Sequence, residues 1–339
     1  MAVGGGADRA TDGVQLGASL EQPVIAGVDA LVHARHPIPV IQSHARPRAR
    51  AQPGWTVIGN PASGRGRGRQ ALEQATAVLV EAGASPAVVH ARDLEHATAA
   101  AGEAAAAGGT VVAVGGDGIV GAVAGALAGT PGALGIVPAG RGNDFARSLG
   151  LPLDAGAAAR RLPAATARRV DVGDVDGRPF VGIASVGIDA EANRLANGSS
   201  ARLGEAVYAV SGVRALAAWR HATFTLEIDG TPSTFRGFGL GVGNAPYYGG
   251  GLRALPDARV DDGLLDVVTF AQDRRLRFLR QIPQRRTGGH AANPTVGFSR
   301  GTVVRVTADR PLAVYADGEP IGALPATVTI RPGALSVLA

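Results

Sequence analysis

The 339-residue chain is 46% hydrophobic and 18% charged but only 4% aromatic, contains 50 Gly and 21 Pro, and carries a formal charge of +5. At roughly 100–200 residues per domain, this length calls for two domains with sizeable cores, and so few aromatics point to cores built from Ala, Val, Leu and Ile. Cysteine is absent and all 33 basic residues are arginine, which excludes disulfides, thiolate metal sites, cysteine nucleophiles, Schiff-base lysines and the lysine of a P-loop.

Residues 1–53 lack sustained periodicity and read as a flexible extension. They hold a short helix near 24–32 and a basic cluster at Arg46–Arg50. Met1 is followed by glycines and Asp8, which is not the pattern of a signal peptide. From Trp55 a regular alternation begins. Strands are predicted at Trp55–Gly59, Ala87–His90, 110–114 and 133–137. Helices are predicted at 70–81, at 93–107 and after Gly118. Strands alternating with helices imply right-handed crossovers and a parallel sheet over residues 54–151. The uncharged stretch 118–140 is long enough to span a bilayer, but it is mostly Gly and Ala and Thr130-Pro131-Gly132 interrupts it. It reads as a short helix, a turn and a strand.

After about Pro152 the runs become short, β-branched and separated by turns: 168–175, 180–185, 223–228, 238–242, 264–270, 303–307, 313–315 and 327–330. Asp229-Gly230 and Asp317-Gly318 are hairpin signals. Residues 152–332 are therefore expected to form an antiparallel β domain with one helix around 203–219. Residues 333–339 are expected to form a strand returning to the first domain.

Three loops follow predicted parallel strands, at the sheet edge where open α/β folds bind ligands. Gly115-Gly116-Asp117-Gly118 leads into a helix, whose free amides and positive dipole end favour phosphate. Asp117 complicates anion binding unless it holds Mg²⁺ or a proton in transfer. Asn60-Pro61-Ala62-Ser63-Gly64 supplies an amide side chain, a hydroxyl and a turn glycine. Gly140-Arg141-Gly142-Asn143-Asp144 supplies an arginine suited to bidentate phosphate contact, with Asn143 or Asp144 available as a helix cap. Together the loops favour a nucleotide polyphosphate.

These segments resemble the lipid-kinase family that contains diacylglycerol kinases, bacterial lipid kinases and sphingosine kinases. The resemblance spans residues 55–339. It rests on Asn60–Gly64, Gly115–Gly118, the run Pro138-Ala-Gly-Arg-Gly-Asn-Asp-Phe-Ala-Arg147, Gly182–Asp189, Pro256–Leu264 and Asp317-Gly318-Glu319. It implies an α/β nucleotide domain of the NAD-kinase and diacylglycerol-kinase type, followed by an antiparallel β-sandwich domain, with ATP between them. It also implies phosphoryl transfer to a lipid hydroxyl. Bacterial relatives use the Asp-Gly-Glu motif as proton acceptor, which maps to Asp317 with Glu319 beside it; sphingosine-type members implicate Asp117. A Mg²⁺ site is implied at the backbone carbonyls of Arg259 and Leu264 and the carboxylate of Asp262. Asp189 maps to the position where sphingosine kinases hold a substrate amine or hydroxyl.

The chain departs from the family pattern. Where the family usually has Thr, Asn and Glu after Gly-Gly-Asp-Gly, Ile119, Gly121 and Ala122 stand here. Arg141 replaces a Thr or Ser, and a hydroxyl after the second strand is Ala91. A catalytically weakened nucleotide- or lipid-binding protein is the alternative that these losses raise. Residues 273–286 interleave six arginines with Leu276, Phe278, Leu279 and Ile282, a pattern shared by a solvated helix face and a segment lying on anionic headgroups. Scarce aromatics argue against nucleic acid, and dispersed histidines argue against zinc. The expected protein is cytoplasmic, peripheral at the inner membrane face, and a homodimer.

Overall fold

The computed structural model describes residues 54–197 and 206–339. The sequence expectations for residues 1–53 lie outside these. The first part alternates as the spacing predicts: β1 (Trp55–Gly59), α1 (Arg67–Glu81), β2 (Ala87–His90), α2 (Leu94–Ala106), β3 (Thr110–Gly115), α3 (Asp117–Leu127) and β4 (Ala133–Pro138). Two short helices follow, α4 (Asp144–Ser148) and α5 (Ala155–Arg161). The order in the sheet is β2-β1-β3-β4, all parallel. Residues of β3 alternate between two helical layers. Val111 and Ala113 pack with α2 and α3, and Val112 and Val114 pack with α1 and α5. α2 buries only Ala97, Ala101 and Ala105, a four-residue spacing that places small side chains on one face. Asp93 caps this helix, its Oδ1 accepting from His96 N at 2.7 Å. The uncharged stretch 118–140 resolves into α3, a turn and β4, and among the described residues no helix is long and apolar enough to cross a membrane.

The second part contains β5 (Ala167–Val175), β6 (Arg178–Phe180), β7 (Ile183–Gly187), α6 (Ile188–Asn197), α7 (Ala206–Ala218), β8 (Ala222–Ile228), β9 (Thr231–Gly243), β10 (Tyr247–Tyr248) and β11 (Leu252–Arg253). It continues with β12 (Leu265–Ala271), α8 (Arg275–Gln284), β13 (Val296–Gly301), β14 (Val303–Ala308), β15 (Ala313–Ala316), β16 (Glu319–Ala323) and β17 (Ala326–Leu338). Its strand pairs are antiparallel. Three Asp-Gly turns, at Asp176-Gly177, Asp229-Gly230 and Asp317-Gly318, hold both residues at positive φ, as two-residue hairpins of this twist require. The sequence reading named only the last two.

Three expectations change. One helix was expected over residues 152–332, and α5, α6 and α8 accompany α7 there. The predicted strand at 180–185 is split between β6 and β7, because the amides of Val181 and Gly182 bond to Asp317 instead of a neighbouring strand. An aliphatic core holds for the α/β part, whose buried clusters contain one aromatic, Phe145. The antiparallel part instead concentrates Phe180, Phe224, Phe238, Phe270, Phe278 and Trp219 in its core. Few aromatics overall did not mean few aromatics locally.

β17 joins the two architectures. Its first residues pair antiparallel with β14, and Ser336 and Val337 pair parallel with Ala133 and Leu134 of β4. β5 runs antiparallel along most of its length, across a register shift between Arg331 and Leu335.

Candidate functional site

The loops after β1, β3 and β4 leave adjacent strands at the same sheet edge. After β1, Asn60 Oδ1 accepts from Ala62 N at 2.8 Å and Asn60 O accepts from Ser63 N at 3.0 Å, turning Pro61 and Ala62 into the 3₁₀ turn Ser63–Gly66. Ser63 Oγ is buried without a hydrogen-bond partner. The loops after β3 and β4 touch through Gly116 and Gly140: a methyl group at Gly140 would overlap the Gly116 backbone. Asn143, in the left-handed conformation at φ 53°, folds back on the same loop. Its Oδ1 accepts from Gly140 N at 3.0 Å, and its Nδ2 donates to Gly140 O at 3.2 Å. Arg141 is exposed on the loop.

Asn143 stands at the N-cap position of α4, but its side chain makes no bond to the helix amides there. Asp117, at the start of α3, takes those amides instead, its Oδ1 accepting from Asp144 N at 2.6 Å and Phe145 N at 3.4 Å. The Asp144 carboxylate reaches instead into the antiparallel part and accepts from Gly250 N at 2.8 Å and Gly251 N at 2.7 Å. Gly250 and Gly251 have φ of 85° and 94°, a left-handed course that aims successive amides at one anion. Burial raises the pKa of Asp117. Burial, with the nearby Asp117 charge, pushes Asp144 up to about 6 against the pull of the two glycine amides.

Asp317 sits on the opposite wall. Its Oδ2 accepts from Val181 N and its Oδ1 from Gly182 N, both at 2.9 Å. A Cβ placed on Gly121 would lie 3.3 Å from Asp317 Oδ2, and one on Gly118 would lie 3.6 Å from Glu319 Oε1. Asp317 and Glu319 therefore face the first turns of α3, the helix that Asp117 begins. Burial pushes Asp317 up to about 6, opposed by the two amides and reinforced by Asp117. Loss of solvent also raises Glu319. The structure brings Asp117, Gly118, Asp317 and Glu319 together around one helix start.

Asp189 opens α6 and belongs to a different cluster. Its Oδ2 accepts from Tyr248 OH at 3.2 Å and from Arg285 Nη1 at 3.4 Å, while Arg285 Nη1 also donates to Tyr248 OH at 2.6 Å. The Arg285 side chain is 1% exposed and that of Asp189 22%. The guanidinium lies 4.0 Å from the ring centre of Phe270 and 5.1 Å from that of Phe278. Sequence reading passed over Arg285 as one arginine in a basic run. Its helical offset of seven from Phe278 was the available signal.

The family model for "Diacylglycerol kinase catalytic domain" matches residues 54–175, and that for "YegS C-terminal NAD kinase beta sandwich-like domain" matches 182–339. A diacylglycerol kinase of Mycobacterium tuberculosis is 35% identical over 211 residues, covering 60% of this chain and 68% of that protein. The chain belongs to the diacylglycerol kinase family of lipid kinases. "Probable lipid kinase YegS-like" of Pseudomonas aeruginosa is 34% identical over 203 residues, 60% of this chain and 66% of that protein. Among solved structures, one from Bacillus anthracis str. Sterne superposes with a TM-score of 0.73 at 24% identity, covering 84% of this chain and 95% of its own. The crystal structure of a diacylglycerol kinase from the same organism superposes with a TM-score of 0.66 at 19% identity, covering 84% and 96%. These likenesses carry the fold.

Within this lipid-kinase frame, the departures from the family pattern take definite places. Ile119 is buried in the core on the α2 and α3 side. Ala91 is also buried, its amide bonded to Gly59 O. Gly121 faces a candidate catalytic carboxylate, that of Asp317. The turn of Arg259, Asp262 and Leu264 is ordered by Asp171, whose carboxylate accepts from Gly263 N and Gly333 N, each at 2.7 Å. Asp262 Oδ1 accepts from Leu264 N at 3.1 Å. Among the described residues no three His, Cys, Asp or Glu side chains are placed to share an ion. A cation at this turn would rest on one carboxylate and main-chain oxygens, a donor chemistry that suits Mg²⁺.

Proposed function

We propose that the chain transfers the γ-phosphoryl group of ATP to a hydroxyl of a diacylglycerol-like lipid at the cytoplasmic face of a membrane. The observation that carries this reading is the position of Asp317, held by two amides against the helix start beside which the loops after β3 and β4 touch. In this reading the amides of the Asn60–Gly64, Gly115–Gly118 and Gly140–Asp144 loops hold the triphosphate, with Arg141 beside it. Asp317 accepts the proton of the acceptor hydroxyl as its oxygen attacks the γ-phosphorus. The bond to the β–γ bridging oxygen then breaks and ADP leaves. A carboxylate with a pKa of about 6 is ionised at neutral pH yet a better proton acceptor than an ordinary aspartate. In this reading Asp117 holds the start of α4, its Oδ1 accepting from Asp144 N and Phe145 N. A divalent cation, when bound, supplies charge neutralisation to the phosphates or stiffens a loop. At the turn of Arg259, Asp262 and Leu264 it would brace the backbone around Asp171, whose carbonyl accepts from Asn244 Nδ2. Asn244 N in turn bonds to Gly182 O, behind the amide that holds Asp317.

The acceptor side favours a neutral hydroxyl over a sphingoid amine. Buried Arg285 already compensates the Asp189 charge, so an ammonium group would meet a site of no net charge.

Incubation with γ-labelled ATP and a mixed lipid extract tests the reading. Label is expected in a glycerolipid product and is expected to fall about 10²–10⁴-fold in Asp317→Asn, the range for removal of a general base. Gly121, which leaves the Asp317 face of α3 without a side chain, supports a second reading, a nucleotide-binding protein with weakened turnover. Thermal stabilisation by ATP with no labelled lipid would select it.

A further inference from the structure

α8 buries Phe278, Gln281 and Arg285 and half-buries Ile282, so its inner face is defined by the usual helical spacing. Leu276, Arg280 and Pro283 project from the opposite side, with Leu279 on one flank and Arg277 and Gln284 on the other. Leu276 is 60% exposed and Leu279 38%. Leucine at the solvent apex of a helix is not explained by packing, and the flanking charges are not explained by helix stability. Arg274 and Arg275 stand at the N-terminal end, where cations oppose the helix dipole. No acidic residue lies between Arg274 and Arg286. The nearest in sequence, Asp273, is paired with Arg277 at 3.4 Å.

The cationic surface extends beyond the helix. Arg275 Nη2 donates to Trp219 O at 2.9 Å at the end of α7, and Arg310 lies 5.0 Å from the Trp219 ring centre. Burial, followed by the charges of Arg236, Arg275 and Arg310, lowers the pKa of His221 there. On the other flank a groove of about 450 Å³ is lined by Arg277, Gln284, Gly289, Ala292, Asn293 and Pro294. At its inner end, α8 joins the acceptor side, since Arg285 O accepts from Arg253 N at 2.7 Å while its guanidinium holds Asp189 and Tyr248.

We infer that the outer face of α8 is the surface by which this protein docks on an anionic lipid bilayer, with Leu276 and Leu279 entering the acyl boundary and Arg274, Arg277 and Arg280 resting on headgroups. Exposed leucines flanked by arginines, with Asp273 against Arg277 as the acidic residue beside them, match both layers of such an interface. This deepens the proposed function by naming the partner surface of the acceptor side, but its test needs neither ATP nor turnover.

Flotation of the full chain with phosphatidylcholine vesicles, with and without phosphatidylglycerol, is the test. The wild type is expected to float with phosphatidylglycerol-containing vesicles and to be released by salt. Leu276→Asp/Leu279→Asp and Arg277→Glu/Arg280→Glu are each expected to weaken partitioning by about tenfold or more. All four positions are exposed, so unchanged thermal unfolding would show that the fold survives. A second arm separates docking from chemistry. Leu276→Asp/Leu279→Asp is expected to keep turnover on dispersed dioctanoylglycerol but lose it on bilayer dioleoylglycerol. The inference is overturned if the wild type ignores anionic vesicles, if either double variant binds as wild type, or if arginine reversal alone matters. That last result would indicate a polyanion such as RNA. Vesicle binding with no phosphorylated lipid would sink the kinase reading and leave this one standing.

Discussion

The α/β part and the antiparallel part solve the same problem, presenting polar groups at a shared edge, with different materials. The first packs small aliphatic side chains in two layers around a parallel sheet, and its site is mostly main chain, with amides exposed at glycine bends. The second packs phenylalanines around a fully buried arginine, and its site is mostly side chain, with Asp317 and Glu319 at a hairpin and Asp189 at a helix start. Glycines at the loop bends of the α/β part let backbones approach closely enough for Gly116 to touch Gly140. A bulky aromatic core can surround and orient charged groups that would otherwise face water.

The largest expected effects lie in that aromatic core. Phe270→Ala is expected to cost about 3–5 kcal/mol in urea unfolding, whereas Val112→Ala, which removes two methyl groups at the heart of the parallel sheet, should cost about 2 kcal/mol. Equal costs would erase the contrast. Arg285→Met is expected to cost about 3–5 kcal/mol because it strands Asp189. Adding Asp189→Asn should recover part of that loss, and a double-variant cycle with no coupling would show that the pair does not act as a unit.

Smaller effects test the contact between the two parts. Asp144→Asn leaves one acceptor for two glycine amides and is expected to cost about 1–3 kcal/mol, with faster hydrogen exchange at Gly250 and Gly251. The pH dependence has a definite sign. Asp144 and Asp317 each titrate at about 6 in the folded chain against an ordinary 3.8, so the folded state binds more protons between about pH 4 and 6. Unfolding free energy should fall as pH rises through that window and level off above it, while kcat/KM for the proposed transfer should rise over the same range as Asp317 ionises. Asp317→Asn should flatten part of the stability slope. The smallest change is expected from Gly121→Asn, a shift in ATP affinity of less than about tenfold, or about 1.4 kcal/mol, read by titration calorimetry.

The parallel strands were legible because each is a short apolar run with a glycine or a proline at one end or both, and the loops because their residues are sequential. Asp229-Gly230 and Asp317-Gly318 were legible because turn chemistry is local. The partners of those residues were not. Nothing adjacent to Asp317 indicates that it takes amides from Val181 and Gly182, and nothing near Asp144 points to Gly250. Such bonds span elements distant in sequence, and each redirects a residue that local rules assign to a cap or a turn. α8 was legible as arginines interleaved with apolar residues, but its buried face was not, for a related reason. Its inner face carries Gln281 and Arg285, so a hydrophobic pattern alone understates what it buries.

The shared strand β17 bears on how the protein is made. The edge of β4 is finished only by Ser336 and Val337, synthesised long after the strands they complete. A ribosome-bound chain that has already released β1 to β4 must hold that sheet with one side open until the final strand arrives. Such distant pairing slows folding and leaves an unpaired border exposed in the interval. Loss of Ser336 and Val337 would therefore damage the parallel sheet rather than the hairpins translated just before them.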